Sequence, residues 1–457
     1  MGRIVDAEYR PSRVSGDNPL ISALPAQLGR NELYDALLRD YSLPEDYKDY
    51  SPQERQELSI RIKQIYIPME YSADIYASLY YGFLTAYTGR TAVAITKRMN
   101  EIGMAMEKRS YEALPDSPFI AESFAILGEP GSGKSTTIRN ILRMFPMAIR
   151  HTQFNGAEFD MIQIPYILIE CPVNHSEKSV CYQILEKIDS ILNTNFMAES
   201  FRTSPSLDLL IIKIAQLCMR FSIGAILIDE IQNVLKTNTK NPSSGNSLIR
   251  FLVSLANKTG VCLVCIGTTA VSNFFNAEAH LARRTRGPRI PLLCKGPTYH
   301  ALLERMWSNI AVLNPVPLSD SIEDEVYIHT GGCIGKMASL LHYAAFEAIF
   351  FSRETVDVQT LRSVARKHDI SSRRPSLEPE NIRMFKPVSK KQAEKEAAQI
   401  ESTGETTNVS RRKSSNRGRP KAERDELDIL VVYSYCEELG LSLEQKLEEM
   451  GLCYFGG

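Results

Sequence analysis

Residues 125–142 read Ala-Ile-Leu-Gly-Glu-Pro-Gly-Ser-Gly-Lys-Ser-Thr-Thr-Ile-Arg-Asn-Ile-Leu, an apolar run followed by a glycine-rich octapeptide and a helical pattern. This order predicts a phosphate-binding loop between a strand and a helix. Glycines let the chain wrap closely around an anion, so that backbone N–H groups and the positive end of the helix face it. The expected contacts to a nucleotide are Gly128, Glu129, Pro130, Gly131, Ser132, Gly133, Lys134, Ser135 and Thr136.

Two acidic residues end a second apolar run, Ala-Ile-Leu-Ile-Asp-Glu at 225–230. In phosphoryl transfer, Lys134 would contact the β- and γ-phosphates of ATP, while Ser135 and Asp229 hold Mg²⁺. Glu230 would orient and polarise the attacking water. The alternative interpretation is two acids that cap a buried strand. We expect ATP and Mg²⁺ as the ligands and ATP hydrolysis as the reaction.

A third apolar run, Cys262 to Ile266, is followed by Gly-Thr-Thr. Because the carboxyl ends of neighbouring parallel strands meet at the ligand edge of a sheet, Thr268 is the expected sensor of the γ-phosphate and Thr269 the alternate. Ordinary turn chemistry also explains two threonines at a strand end. The lone C-x-x-C formed by Cys262 and Cys265 has no second pair to complete a zinc site, so we interpret both as core residues.

Three arginines follow this strand, Arg283, Arg284 and Arg286. A guanidinium that reaches a neighbouring subunit's site would stabilise the charge of phosphoryl transfer. The alternative is a solvated or DNA-facing basic patch.

Length and composition are those of a multidomain globular chain. The 457 residues exceed one compact core, and 44% hydrophobic and 23% charged residues are ordinary values. The net charge of −1 gives no overall attraction to nucleic acid, so DNA contact would depend on local basic patches. Neither a signal-peptide core nor a membrane-spanning run is recognised, and the cysteine usage suits a reducing cytosol.

Apolar strands alternate with helical segments between 119 and 291, which predicts an α/β fold with a parallel sheet flanked by helices. A basic, polar stretch follows a helical region, and its Arg417-Gly-Arg419-Pro is similar to an AT-hook that lays arginines into a narrow minor groove. A solvated linker explains the same composition. The expected units are an N-terminal extension for partner binding (1–115), a nucleotide-binding domain (116–296), a helical lid (297–368), a flexible linker (369–424) and a short helical segment (425–457).

Together, the loop, the Asp-Glu pair, the strand-end threonine, the downstream arginines and the helical lid resemble the AAA+ ATPases. More narrowly, the chain resembles the TnsC/TniB family of transposition regulators. The residues that carry this resemblance are the strand, proline and helix start at 163–181, the sensor strand end at 266–268, and Gly331-Gly-Cys-Ile-Gly-Lys336 with the Leu/Ala-rich helix after it.

That resemblance implies an ATPase of the bacterial cytoplasm that forms rings or filaments on duplex DNA with little regard to sequence. It would link a target-selecting protein or RNA-guided complex to transposase subunits and hydrolyse ATP to disassemble. Lys178, Ser179 and Arg202 are the expected DNA contacts on its inner surface, with ordinary exposed side chains as the alternative. Lys336 takes the place of a lid residue that contacts the γ-phosphate, where many AAA+ relatives have Arg.

Two other functions remain open. An origin-recognition or helicase-loading ATPase shares the same sheet, lid and arginines. A signalling nucleotide switch that binds proteins instead of DNA would be indifferent to added duplex.

Overall fold

The structure is a computed structural model, and the residues it describes are 4–11, 18–174, 176–235, 244–272, 286–370 and 382–384. The chain divides into two compact units, Met1–Ser389 and Lys390–Gly457, and every described residue belongs to the first. The expected segment at 425–457 and the AT-hook arginines Arg417 and Arg419 lie outside the described residues. Within the described part, no helix has both the length and the apolar composition that crossing a bilayer requires.

Strands form at the four apolar runs of the sequence and at four further sites. The strands of the described residues are Ile4–Asp6 (β1), Phe124–Gly128 (β2), Ala148–Phe154 (β3), Ala157–Gln163 (β4), Tyr166–Glu170 (β5), Ala225–Asp229 (β6), Cys262–Gly267 (β7) and Arg289–Ile290 (β8).

Five strands form the main sheet in the order β5-β6-β7-β2-β8, and every neighbouring pair is parallel. Parallel neighbours need long crossovers, which helices supply while they cover both faces of the sheet. The predicted α/β fold with a parallel sheet is therefore confirmed.

Helices occupy most of the remaining described chain. They are Pro19–Ser22 (α1), Arg30–Leu37 (α2), Pro52–Ser59 (α3), Glu70–Tyr87 (α4), Ala92–Lys108 (α5), Lys134–Leu142 (α6), Glu177–Leu192 (α7), Phe196–Thr203 (α8), Leu207–Arg220 (α9), Ser244–Thr259 (α10), Pro297–Trp307 (α11), Asp320–Thr330 (α12), Ile334–Phe350 (α13) and Val358–Lys367 (α14). Short 3₁₀ turns at Ile60–Gln64, Ile231–Leu235 and Thr269–Val271 adjoin the site described below.

Alternate residues of each central strand enter different cores. In β7, Cys262 and Val264 belong to one buried cluster, while Leu263 and Cys265 belong to another on the opposite face. This follows from the two-residue period of a strand and explains why these runs are apolar throughout. Both cysteines are buried, and burial raises the pKa of the Cys265 thiol to about 12.

The N-terminal extension is part of the first of these cores. Leu37 and Phe83 share one buried cluster with Ile126 of the sheet and with Leu303 and Leu341 of the helical lid. The aromatic-rich stretch of α4, expected to be core, buries Tyr76 and Phe83, although Tyr81 is exposed. Ile102, Ala105 and Leu114 of the same extension belong to the second cluster, so the apolar residues of 1–115 pack in both cores.

A buried ion pair connects this extension to the lid. The guanidinium of Arg55 on α3 donates to both carboxylate oxygens of Glu354, at 2.6 and 2.7 Å, and to the carbonyl of Ala311 at 3.1 Å. The Arg55 side chain is 2% exposed and that of Glu354 is 15% exposed. The pair therefore lies in a largely dry environment where charged hydrogen bonds are strong.

A second buried guanidinium, that of Arg90, lies at the end of the sheet where β6 and β7 begin. Arg90 donates to the carbonyl of Ile223 at 2.9 Å and to that of Gly260 at 2.8 Å, shortly before β6 and β7 begin. Its charge group also lies 5.6 Å from the ring centres of Tyr87 and Phe119. One side chain thus binds the backbone that precedes both β6 and β7.

A smaller sheet, β1-β3-β4, was not anticipated from the sequence. β1 pairs in parallel with β3, and β3 pairs antiparallel with β4. Buried His151 bridges the hydroxyl of Tyr9 and the side chain of Gln163, at 2.8 and 2.9 Å. The pattern here is mixed and largely polar, which hides strands from an analysis of apolar runs.

The expected linker boundary at 369 requires a correction. Ile370 is buried, and the carbonyl of Arg383 accepts the backbone N–H of Glu70 at 3.2 Å. Met384 forms a β-bridge with Met69. Residues 382–384 lie against the start of α4 because they pair with its otherwise unsatisfied N-terminal backbone.

Candidate nucleotide-binding site

The glycine-rich loop connects β2 to α6, as its sequence predicts. Gly133 has φ of +97°, a conformation that L side chains rarely adopt, and immediately precedes the first residue of α6. A Cβ on Gly128 would lie 2.5 Å from the carbonyl oxygen of Ile290 and 2.8 Å from Ser132 Oγ. The loop is thus tightly packed beneath and open above, where the first N–H groups of α6 point.

Lys134 is held inside the loop by backbone oxygens. Its ammonium donates to the carbonyls of Gly128 and Glu129, at 3.0 and 2.9 Å. Burial lowers the pKa of the Lys134 ammonium, and the nearby carboxylates of Glu230 and Asp229 act in the opposite direction. A cation in this position suits an anionic ligand. The full negative charge of such a ligand would balance the ammonium better than the partial charges of the two carbonyl oxygens.

Polar groups in and beside the loop fit a nucleotide phosphate with its cation. Ser132 Oγ is buried and lacks a hydrogen-bond partner among the described residues. Asp229, at the end of β6, is buried, and one of its carboxylate oxygens accepts the N–H of Glu230 at 2.9 Å. Asp229 and Ser135 line the same cavity of about 730 Å³. A hydroxyl and a carboxylate are oxygen donors of the kind that Mg²⁺ prefers.

Glu230 lies where this cavity meets a second one of about 380 Å³. Its φ of +56° is unusual for a residue with a side chain. Its carboxylate accepts a hydrogen bond from the side-chain amide of Gln232. The amide oxygen of Gln232 in turn accepts the backbone N–H of Thr268 at 3.1 Å. One glutamine therefore joins the ends of β6 and β7.

The two strand-end threonines have different surroundings. Thr268 lines the 380 Å³ cavity together with Lys134 and Glu230. The hydroxyl of Thr269 donates instead to the carboxylate of Glu129 at 3.0 Å. Thr268, the expected sensor of the γ-phosphate, thus lies at the cavity, whereas the alternate Thr269 lies at the base of the loop. The sensor role itself stays a prediction.

The rest of the 380 Å³ cavity is largely apolar, apart from Lys63 and the tyrosines Tyr66 and Tyr71, and comes from segments far away in sequence. Its volume lies in the usual range for small-molecule sites. Loop residues 130–136 form its polar end. The apolar lining consists of Ile65, Ile67 and Met69 from the N-terminal extension and Leu302, Met306, Ile334 and Ala338 from the lid. The extension's part in this cavity was not expected from the sequence, where the alternation in Ile65-Tyr-Ile-Pro was the available signal.

Residues 121–275, which contain the loop, the acidic pair and the strand-end threonines, match the family model of the AAA domain. These residues form an AAA domain. The five-stranded parallel sheet, to which residues 121–275 contribute β2, β5, β6 and β7, has with its flanking helices the fold of the AAA+ P-loop ATPases, which confirms the fold class expected from the sequence. A search of curated proteins found no match.

Solved structures similar to part of this chain include three archaeal proteins. The Cdc6 protein of Pyrobaculum aerophilum has 16% identity and a TM-score of 0.39, over 64% of this chain and 70% of its own. The Orc1 protein of Aeropyrum pernix, solved in complex with DNA, has 16% identity and a TM-score of 0.37, over 63% and 69%. A Walker-type ATPase of Pyrococcus abyssi has 13% identity and a TM-score of 0.33, over 60% and 71%.

The first turn of the lid helix α13 touches the loop of the AAA domain. The N–H of Gly335 donates to the carbonyl of Gly131 at 3.0 Å, and Cys333 Sγ lies 3.5 Å from the carbonyl oxygen of Pro130. Lys336 is half-buried on the same helix and is not among the residues that line the 380 Å³ cavity. Its neighbours Ile334 and Gly335 do line that cavity, and the γ-phosphate contact of Lys336 stays a prediction.

The predicted arginine and DNA-binding residues are only partly visible. Arg283 and Arg284 lie outside the described residues, and Arg286 is exposed just before β8. Lys178 and Arg202 are exposed on α7 and α8. The ammonium of Lys178 donates to the carbonyl of Pro205 at 3.1 Å, which brings the start of α7 close to the end of α8. Ser179 Oγ accepts from the amide of Asn174 at 3.1 Å.

Proposed function

We propose that this protein is an ATPase whose AAA domain binds MgATP between the loop, the lid and the N-terminal extension. The observation that carries the proposal is the convergence of Lys134, Glu230 and Thr268 on one cavity whose other end is apolar. A polar end at a helix N-terminus suits the phosphates, and an apolar end suits a base.

The residues divide the chemistry among them. Lys134 would offset the negative charge of the phosphates, and Ser135 and Asp229 would hold Mg²⁺. Glu230 would orient a water molecule and accept its proton as the water oxygen bonds to the γ-phosphorus, while the bond to ADP breaks. The products are ADP and inorganic phosphate.

The finer proposal is a regulator of DNA transposition. The protein would assemble with ATP on duplex DNA as a ring or filament, recruit transposase subunits to a target chosen by another protein or RNA-guided complex, and disassemble after hydrolysis. Support comes from the TnsC/TniB-like residues at 163–181 and 331–336, and from the shared exposed region that holds Lys178 and Arg202. A bacterial cytoplasm is the compartment that goes with this proposal.

ATP turnover by the wild type and two variants tests the proposed ATPase activity. The wild type should release phosphate from ATP, and Lys134→Ala should abolish nucleotide binding. Glu230→Gln should bind ATP but turn it over at least about a hundredfold more slowly, because water activation is lost while positioning is kept. Wild-type turnover in Glu230→Gln would remove Glu230 from its assigned role.

Electron microscopy with random-sequence duplex and a non-hydrolysable ATP analogue tests the second step. Rings or filaments that need both DNA and nucleotide support the transposition regulator. Particles indifferent to DNA favour a protein-binding nucleotide switch, and binding confined to particular sequences favours an origin-recognition role.

Charge-removing variants test the DNA surface. Lys178→Ala and Arg202→Ala should each weaken binding and reduce the dependence of log K on log salt by about one unit, as expected for a lost phosphate contact. Lys48→Ala, an exposed lysine of the N-terminal extension, is the matched control and should change neither. Equal effects of all three would show that general charge, not this surface, governs binding.

A further inference from the structure

The orientation of the Gln232 amide is determined by its neighbours. A backbone N–H can only donate, so the atom of Gln232 that faces the N–H of Thr268 must be the oxygen. The amide nitrogen is thereby directed at the carboxylate of Glu230, which can only accept while ionised. The bridge therefore has one possible polarity, and both ends are satisfied.

The space around the bridge is equally restricted. A Cβ on Gly267 would lie 2.6 Å from the amide oxygen of Gln232, so the amide lies directly on the backbone of the sensor strand. Gln232 belongs to the 3₁₀ turn Ile231–Leu235 that follows the acidic pair. The side chain thus has a strand end on one side and Glu230 on the other, with little freedom to rotate.

Glu230 depends on such an external support. Its backbone has φ of +56°, where side chains of ordinary residues are strained. Its carboxylate is close enough to Lys134 to act on the pKa of that ammonium, and both residues line the phosphate end of the cavity. The hydrogen bond from Gln232 engages one carboxylate oxygen, Oε2, and leaves Oε1 for another partner.

We propose that Gln232 is a positioning residue for ATP hydrolysis, which holds the Glu230 carboxylate toward the attacking water and couples it to the Thr268 end of the sensor strand. This inference rests on the proposed ATPase function. A shift of Thr268 when a γ-phosphate binds would be passed through the amide to Glu230. Hydrolysis would in this way respond to the third phosphate instead of to nucleotide occupancy alone.

The test compares steady-state ATP turnover by the wild type, Gln232→Leu, Glu230→Gln and the double variant. Leucine keeps approximate size but removes both hydrogen bonds. We expect Gln232→Leu to lower kcat by about 10- to 100-fold, the effect of misplacing a reacting group, while KM for ATP stays within about twofold. Gln232→Glu should also lower kcat, because its second oxygen would face the Glu230 carboxylate with like charge.

The double variant separates a positioning role from a structural one. If Gln232 acts through Glu230, adding Gln232→Leu to Glu230→Gln should lower kcat no further. Multiplying effects, or a wild-type kcat in Gln232→Leu, would overturn the inference and leave the ATPase proposal intact. A fall in thermal stability with kcat per folded molecule unchanged would also overturn it. If the wild type hydrolyses no ATP at all, while Gln232→Leu and the wild type bind nucleotide alike, both proposals fail.

Discussion

Replacing Arg55 by Ala should destabilise the folded protein substantially, because the change leaves Glu354 without its main partner. The arginine makes two charged hydrogen bonds of 2.6 and 2.7 Å to that carboxylate. Glu354 would keep only the N–H of Leu313, at 3.1 Å, with its side chain 15% exposed. Loss of one partner of such a buried pair lowers the free energy of unfolding by about 3 to 5 kcal/mol. Because Glu354 is partly exposed, we expect a loss of about 3 kcal/mol.

Urea unfolding of the full chain, followed by circular dichroism, measures this free energy. A matched control is Lys295→Ala, which removes an ion pair with Asp324 in the same lid where both side chains are largely exposed. That variant should leave the unfolding midpoint unchanged, because solvent screens exposed pairs. The double variant Arg55→Met with Glu354→Leu should recover most of the lost stability, since it leaves no buried charge unpaired.

The stability that the Arg55–Glu354 pair contributes also depends on pH. The hydrogen bond from Arg55 lowers the pKa of Glu354, so the stabilisation is complete above the ordinary glutamate value of about 4.3 and disappears as pH falls through the lowered folded value. Arg55→Ala should therefore be less acid-sensitive than the wild type. If Arg55→Ala unfolds at the same urea concentration as Lys295→Ala at pH 7, the clamp between extension and lid contributes nothing and the argument is wrong.

Three further predictions concern other contacts. Gly335→Ala would bring a Cβ to 2.8 Å from the Gly131 carbonyl and push the lid helix off the loop. Nucleotide affinity, measured by calorimetry, should therefore fall about tenfold. The control Gly103→Ala has open space around it and should bind nucleotide normally. Arg90→Leu should lose about 2 to 4 kcal/mol in urea unfolding, because the carbonyls at the start of β6 and β7 lose their donors; unchanged stability would show that water replaces the guanidinium. The bond to Glu323 raises the pKa of His300, so its stabilisation is present below about 6.5 and is lost as pH rises through the folded value; His300→Gln should remove this part of the pH dependence of the thermal midpoint.

The parallel sheet was predictable because the residue pattern that specifies each of its main strands is local in the sequence. Strands β2, β5, β6 and β7 are each a continuous apolar run, and β2, β6 and β7 lie within a residue of the runs expected from the sequence. The loop and the acidic pair follow those runs directly in sequence. Once the strands are parallel, the ends that carry Lys134, Asp229 and Thr268 must meet at one edge.

The missed features depend on contacts that no local pattern records. The apolar wall at 65–69 reaches the cavity only because the extension packs on the sheet and the lid. The alternation in Ile65-Tyr-Ile-Pro indicates a half-buried segment, but it does not say against which part of the protein the segment packs. Gln232 was passed over for a similar reason. An amide two residues after a glutamate looks like any polar turn residue until the end of β7 is placed beside it.

The three-part wall of the 380 Å³ cavity has a consequence for the cell as well as for the site. A ligand that fills the cavity is held by the extension, the loop and the lid at once, so it binds the native chain and not the unfolded one. At a hundred times its dissociation constant, such a ligand adds about 2.7 kcal/mol to the free energy of unfolding. Nucleotide supply would then govern how long the protein survives proteolysis, and the compound that protects it best would identify the ligand for which the cavity is shaped.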